Sequence, residues 1–272
     1  MWDLRLTFMP QAPEGLITDN SKLTFTVPES SKSRLAGKLR YWWCWLAAGS
    51  LLLVVGLPSL IFLWIIDRRR ALYPTALWGA ETWLKACGVN VKVTGRENLD
   101  ADTQFVFASN HRSYLDTAAL FVCTGRRMGL VAKKELLKVP VMGQGMNFVN
   151  IIAIDRSNAE RALRSMEKAR DVMADGYSFG VFVEGTRAMP GELLPFKKGA
   201  FHLAIQTGAP IVPVAIKNSD RLMGKDTGVA YSGEIEMVLL PPIPTKGKTI
   251  DDVSELLLAT RATIADELGS EN

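Results

Sequence analysis

Histidine is nearly absent from this chain: His111 and His202 are the only two in 272 residues. Chemistry that needs an imidazole base must use one of these positions. Cysteine is also scarce. Cys44, Cys87 and Cys123 are odd in number, widely spaced and form no C-x-x-C. That argues against a disulfide framework or a zinc site and fits a reduced compartment. No internal repeat is present. Aromatic residues are not interleaved with basic ones, which argues against a stacking platform for nucleic acid. Acidic residues are almost missing from 126–138, where Arg126, Arg127, Lys133, Lys134 and Lys138 face Glu135 alone. Such a stretch is either a solvated surface or a place for an anionic ligand or lipid headgroup.

Charge is wholly missing from residues 41–66, an apolar run of 26 residues. About 20 suffice to span a bilayer. Trp42, Trp43 and Trp45 at one end and Trp64 at the other have the placement of interfacial anchors. The roughly 40 residues in front of the run argue against a cleaved signal peptide. Both flanks are basic, with Lys32, Arg34, Lys38 and Arg40 before and Arg68, Arg69 and Arg70 after. The positive-inside bias therefore barely chooses an orientation. Gly56-Leu57-Pro58 lies near the middle. A single span and a hairpin broken at this proline are both open.

What is there in quantity is alternation. The length suits one large domain with an appendage. Residues 1–40 are polar with three prolines and read as a flexible arm; 41–87 form a membrane-anchoring segment ending in an interfacial helix over 71–87. From 88 to 272, short apolar runs alternate with helical patterns. Strands are expected at 89–94, 104–108, 129–132, 149–154, 178–183, 211–216 and 235–240. Helices are expected at 114–124, 158–175, 198–206 and 250–268. This pattern predicts an α/β fold with a largely parallel sheet flanked by helices.

The most informative segment is Asn110-His111-Arg112-Ser113-Tyr114-Leu115-Asp116, directly after the apolar run Phe105–Ala108. A separation of five residues on one helix turns side chains about 140° apart. His111 and Asp116 can meet only if the histidine precedes the helix and the aspartate lies in its first turns. Ser113 and Asp116 also have the spacing of a capping box, so capping alone is a competing role. Glu184-Gly185-Thr186-Arg187 follows another apolar strand. Arg187 is suited to a phosphate or carboxylate, although the same residues would also make an ion-paired turn. Ile154-Asp155-Arg156 likewise ends a strand. Pro213 inside Ile211–Val214 favours an edge or a bend. His202 sits in mid-helix without a local partner and reads as structural.

In this order and at these separations, His111-(x4)-Asp116, Ile154-Asp155-Arg156, Glu184-Gly185-Thr186-Arg187 and Val212-Pro213-Val214 resemble the four motifs of the glycerolipid acyltransferases. The resemblance is strongest to the 1-acylglycerol-3-phosphate acyltransferase branch and covers roughly residues 85–245. It implies His111 as general base and Asp116 as its orienting carboxylate. It implies that Arg156, Glu184, Gly185, Thr186 and Arg187 bind the acceptor, that Lys133 and Lys138 lie near its phosphate, and that Pro213 shapes the acyl-donor side. It implies no metal or other cofactor. The partners implied are acyl-CoA or acyl carrier protein, a lysophospholipid and membrane lipid, with the catalytic domain on the cytoplasmic side of the inner membrane. Two residues depart from the family pattern: Val183 stands where proline is usual, and Ala153 where phenylalanine is usual. Another acceptor, such as a lyso-ornithine lipid, and a non-catalytic lipid-binding role are the alternatives.

Overall fold

The computed structural model describes residues 31–67, 71–154 and 159–269. Arg156 and most of the expected N-terminal arm lie outside the described residues. Seven strands form one sheet: β1 (Val89–Thr94), β2 (Val106–Ser109), β3 (Met128–Lys133), β4 (Ile151–Ile154), β5 (Ser178–Phe182), β6 (Ile211–Lys217) and β7 (Gly233–Leu239). Their order is β1-β7-β6-β2-β5-β3-β4, and every pairing is parallel except β6–β7. The largely parallel sheet expected from the alternating pattern is therefore present.

Helices cover both faces, which explains why β2 and β6 are buried along their whole length. Side chains alternate between two cores. Phe107 and Leu130 pack in one with α3 (Leu72–Ala86) and α4 (Leu115–Cys123). Val106, Ala108 and Phe179 pack in the other, with α6 (Ala159–Ala174), α7 (Gly199–Thr207) and α9 (Val253–Gly269); the short α5 (Met142–Met146) comes between β3 and β4 in the chain. Leu120 of α4 lies over Gly180, where a Cβ would come within 3.0 Å of it. That close approach seats α4, and with it Asp116, directly on the sheet.

Pro213 does not mark an edge. β6 lies inside the sheet, between β2 and β7. The proline is tolerated because the antiparallel ladder with β7 begins only at Val214↔Leu239. Its carbonyl still accepts from the Leu240 amide at 2.9 Å. A missing N–H at the end of a ladder leaves no bond unmade within it.

The N-terminal segment also differs in detail. α1 (Ser31–Leu51) begins inside the expected arm and runs through a π turn (Leu52–Gly56) into α2 (Leu57–Ile65). Pro58 therefore does not break the run. It falls in the first turn of α2, after the widened turn in which Leu57 N–H reaches the Leu52 carbonyl. The reversal comes after Ile65, and α3 packs back alongside. Trp83 Nε1 donates to the Cys44 carbonyl at 2.8 Å, and Trp43 Nε1 to the Ala86 carbonyl at 2.9 Å. Cys44 and Cys87 are buried free thiols at this crossing. Contact with Cys44, together with burial, pushes the Cys87 thiol above its ordinary value.

The long arm rests on the domain. The Gly37 carbonyl accepts from Ala230 N at 2.9 Å, and Arg40 Nη1 donates to the Cys87 carbonyl at 3.1 Å. A Cβ on Gly56 would lie 3.6 Å from Val141. On the short arm, the Tyr73 hydroxyl binds the Met128 backbone and pins α3 to the start of β3. Ser33–Ile65 is long and apolar enough to cross a membrane by length and composition. Its outer side leaves Trp42, Leu46, Leu53, Ile61 and Trp64 exposed.

Candidate active site

The site lies at the C-terminal ends of the central strands, where open α/β sheets bind ligands. Sheet register assembles it. β2 and β5 are neighbours with Ser109 opposite Phe182, so the loops after them emerge side by side. His111 and Glu184, 73 residues apart in sequence, become hydrogen-bonded neighbours.

His111 precedes α4 and Asp116 lies in its first turn, as their spacing requires. His111 Nδ1 lies 2.9 Å from Asp116 Oδ2. The same oxygen accepts the backbone amides of Arg112 at 2.7 Å and Ser113 at 2.8 Å. Asp116 thus both caps the helix start and holds the imidazole; the two roles do not compete. A carboxylate acceptor puts the proton on Nδ1 and leaves the Nε2 lone pair available. The ring stacks on Phe182 at 4.0 Å between centroids and 18° between planes. The His111 side chain keeps 15% exposure while Asp116 has none. The imidazole therefore reaches the surface and its carboxylate partner does not. Asp116 Oδ1 is buried and has no hydrogen bond among the described residues.

Neighbouring residues lock the loop. The Asn110 amide exchanges two bonds with the Ile216 backbone, at 2.7 and 2.9 Å, as a strand residue would. Ser113 Oγ donates to the Met223 carbonyl at 2.7 Å. That contact draws in α8 (Ser219–Met223), a helix too short to show a period in sequence. Arg112 is buried; its Nε donates to the Glu192 carbonyl, and its guanidinium lies 3.7 Å from Asp220. These roles were missed in the sequence because each partner is about 80 or more residues away.

Glu184 is buried and both oxygens are occupied. One accepts His111 N–H at 2.8 Å and the other Leu194 N–H at 2.7 Å. Burial pushes its carboxyl above the ordinary range, opposed by these two amides. The carboxylate thus faces the protein, where it ties the His111 loop to the segment after Arg187, and not an incoming ligand. Gly185 takes φ = 75°, the left-handed region open to glycine, and so reverses the chain after β5. Glu184→Gln should turn one amide contact into an opposition of two donors and cost about 1–3 kcal/mol. An unchanged melting temperature would show that the carboxylate holds neither loop.

Thr186 is exposed. Ala188 N–H binds the His111 carbonyl at 2.8 Å, which brings Arg187 beside the histidine loop. The Arg187 guanidinium lies 3.7 Å from the centroid of the Tyr114 ring, and its Nη1 is buried without a hydrogen-bond partner among the described residues. Lys133 ends β3 opposite Ile154, the last residue of β4. Lys138 is exposed on the 3-10 turn Lys134–Lys138. Two members of the basic stretch are committed to the fold. Arg126 donates to the carbonyls of Leu99, Asp100 and Ala101, and Arg127 lies over Tyr177 and donates to its hydroxyl. His202 stays outside the site, on α7.

An apolar cavity of about 400 Å³ opens beside Tyr114. It runs between the N-terminal helices and the domain, lined by Trp45, Leu52, Ala76, Phe121 and Met146 among others. Among the described residues no group of histidine, cysteine, aspartate or glutamate is arranged to hold a metal ion.

Comparison with known proteins agrees with this geometry. A family model described as Acyltransferase matches residues 90–217. A 1-acyl-sn-glycerol-3-phosphate acyltransferase of Limnanthes douglasii is 36% identical over 213 residues, covering 76% of this chain and 72% of that protein. The human 1-acyl-sn-glycerol-3-phosphate acyltransferase alpha is 36% identical over 170 residues, covering 62% of this chain and 60% of that protein. The chain spans 60% to 64% of the length of several curated relatives it matches. The crystal structure of the 1-acyl-sn-glycerophosphate (LPA) acyltransferase PlsC from Thermotoga maritima shares the fold. Its TM-score is 0.70 at 22% identity, covering 86% of this chain and 96% of that one. With the ordered motifs, the sheet and these relatives in agreement, the chain belongs to the acyltransferase family, in the branch of the 1-acyl-sn-glycerol-3-phosphate acyltransferases.

Proposed function

We infer that the protein transfers a fatty acyl group from a thioester, acyl-CoA or acyl carrier protein, to the free hydroxyl of 1-acyl-sn-glycerol 3-phosphate, giving phosphatidic acid. One observation carries the reading. A histidine with an orienting carboxylate stands on the same loop as Tyr114, which lines an apolar cavity and carries on its ring an arginine whose buried Nη1 lacks a partner among the described residues. These are the groups a phosphorylated, single-tailed alcohol requires.

In this reading Nε2 of His111 takes the hydroxyl proton as the oxygen attacks the thioester carbonyl. Collapse of the tetrahedral adduct expels the thiolate, and the imidazolium returns the proton to it. Asp116 stabilises the imidazolium while it exists. Arg187 grips the phosphate, with Arg156, Thr186, Lys133 and Lys138 as further candidates from the family pattern. Gly185 permits the turn, Glu184 positions the loops, and Pro213 shapes the strand on the donor side. The cavity, within the range of about 300–1,000 Å³ typical of ligand pockets, takes an acyl chain.

The N-terminal helices seat the protein on a membrane. The long arm contacts the domain from Gly37 to Gly56, so a transverse span would draw the domain into the bilayer. We therefore place the hairpin along the membrane surface, with its exposed apolar stripe among the lipids. Thioester donors and buried free thiols favour the cytoplasmic side.

The test is mass spectrometry of products after incubation with mixed lysolipids and mixed acyl-CoA species. Phosphatidic acid is the product expected. Preferential acylation of a phosphate-free lysolipid, such as a lyso-ornithine lipid, would overturn the acceptor assignment. Arg187→Ala should raise KM for phosphorylated acceptors about tenfold or more, because it removes a charge-assisted contact. An equal loss on neutral acceptors counts against its phosphate role.

A further inference from the structure

Arg187 is held in an unusual way for a half-buried cation. Among the described residues no carboxylate pairs with it, and its guanidinium rests on the face of Tyr114. A carboxylate partner would fix the arginine but also occupy its donors and cancel its charge. An aromatic face fixes the plane of the guanidinium and leaves the N–H edge free. Tyr114 itself has little else to hold it. It is 39% exposed, and among the described residues no hydrogen bond fixes its hydroxyl. What it does have is Trp45 of α1, packed edge-to-face at 5.0 Å between centroids and 80° between planes. Trp45 is steadied in turn by α3, where Trp83 lies 6.5 Å away and bonds the Cys44 carbonyl. Trp45, Tyr114 and Arg187 thus form a continuous stack from the N-terminal helix to the candidate phosphate grip. Trp45 and Tyr114 also line the apolar cavity.

We propose that Tyr114 is the positioning residue for Arg187, and that Trp45 holds Tyr114 in place, so that docking of α1 sets affinity for phosphorylated acceptors. This rests on the acyltransferase reading only in taking Arg187 as the phosphate ligand. The chemical requirement at Tyr114 is a π face, not a hydroxyl. The requirement at Trp45 is an aromatic ring packed nearly at right angles to it.

The experiment is calorimetric titration of the full chain in detergent with short-chain lysophosphatidic acid and with a neutral monoacylglycerol of equal chain length. Tyr114→Leu should weaken lysophosphatidic acid binding about tenfold more than it weakens monoacylglycerol binding, since both ligands share the cavity wall and only one carries the phosphate. Tyr114→Phe should restore the wild-type value. Trp45→Leu should act in the same direction, and Trp45→Phe should recover part of the loss. Equal weakening of both ligands by Tyr114→Leu would reduce Tyr114 to a cavity wall and overturn the proposal. Wild-type affinity in Tyr114→Leu, failure of Tyr114→Phe to restore binding, or no lysophosphatidic acid binding by the wild type would overturn it too. Because binding is read without turnover, the two ideas separate. A wild-type protein that binds but does not acylate fails the acyltransferase reading and leaves the stack's role decided by the titrations.

Discussion

His111→Ala should lower turnover with lysophosphatidic acid and acyl-CoA by about 10²–10⁴, the range attributed to a positioned general base. The loss will report chemistry, because His111 serves the fold through its main chain. Its N–H binds Glu184 and its carbonyl accepts from Ala188, and neither bond involves the imidazole. Among the described residues the ring has two partners, Asp116 and Phe182, both inside the site. The variant should therefore keep a melting temperature near wild type. The acceptor KM should change little, since the proposed phosphate ligand, Arg187, is a separate side chain. Wild-type turnover in a folded variant would remove His111 from the mechanism. His202 is no substitute, as it stands on α7 outside the site.

Asp116→Asn should reduce turnover by about 10² or more and lower stability as well; the corresponding change in a serine-protease triad costs about 10⁴ in kcat. The geometry explains both effects. One oxygen of Asp116 accepts all three bonds, from the His111 ring and the amides of Arg112 and Ser113. Asparagine can keep those bonds only with its oxygen in that place. Its NH₂ then occupies the position of Oδ1, which is buried and has no partner among the described residues. Two donors are left unsatisfied there, at a cost of about 1–3 kcal/mol. The neutral amide also no longer stabilises the imidazolium. The split to look for is a large fall in kcat, a small change in KM and a lower melting temperature. A fall in melting temperature at wild-type kcat would leave Asp116 as a helix cap only.

The strands were legible because a doubly covered parallel sheet writes its strands as short continuous apolar runs. Phe105–Ala108, Ser178–Val183 and Ile211–Ile216 each fall within a residue or so of β2, β5 and β6. Sheet order was not legible, because nothing local in 233–239 says that β7 runs antiparallel to β6 or lies between it and β1. Pro213 misled for the same reason: its tolerance depends on where the partner ladder ends, which belongs to β7. Pro58 misled because a π turn upstream absorbs the missing donor. The straddled helix start was legible in the His111/Asp116 spacing, since helix geometry allows few other arrangements. Glu184 was visible as part of a motif, but its direction was not. Whether a carboxylate faces a ligand or two backbone amides is set by residues 111 and 194, far from it in sequence. Arg156 lies outside the described residues, and its part remains with the family pattern.

The same-sided return of the N-terminal hairpin has a consequence for lipid asymmetry. With the hairpin returning onto the domain and placed along the membrane surface as proposed above, the cavity would open toward one leaflet only. Substrate would be drawn from that leaflet and product released into it. Phospholipid made in this way would reach the opposite leaflet only by crossing the bilayer.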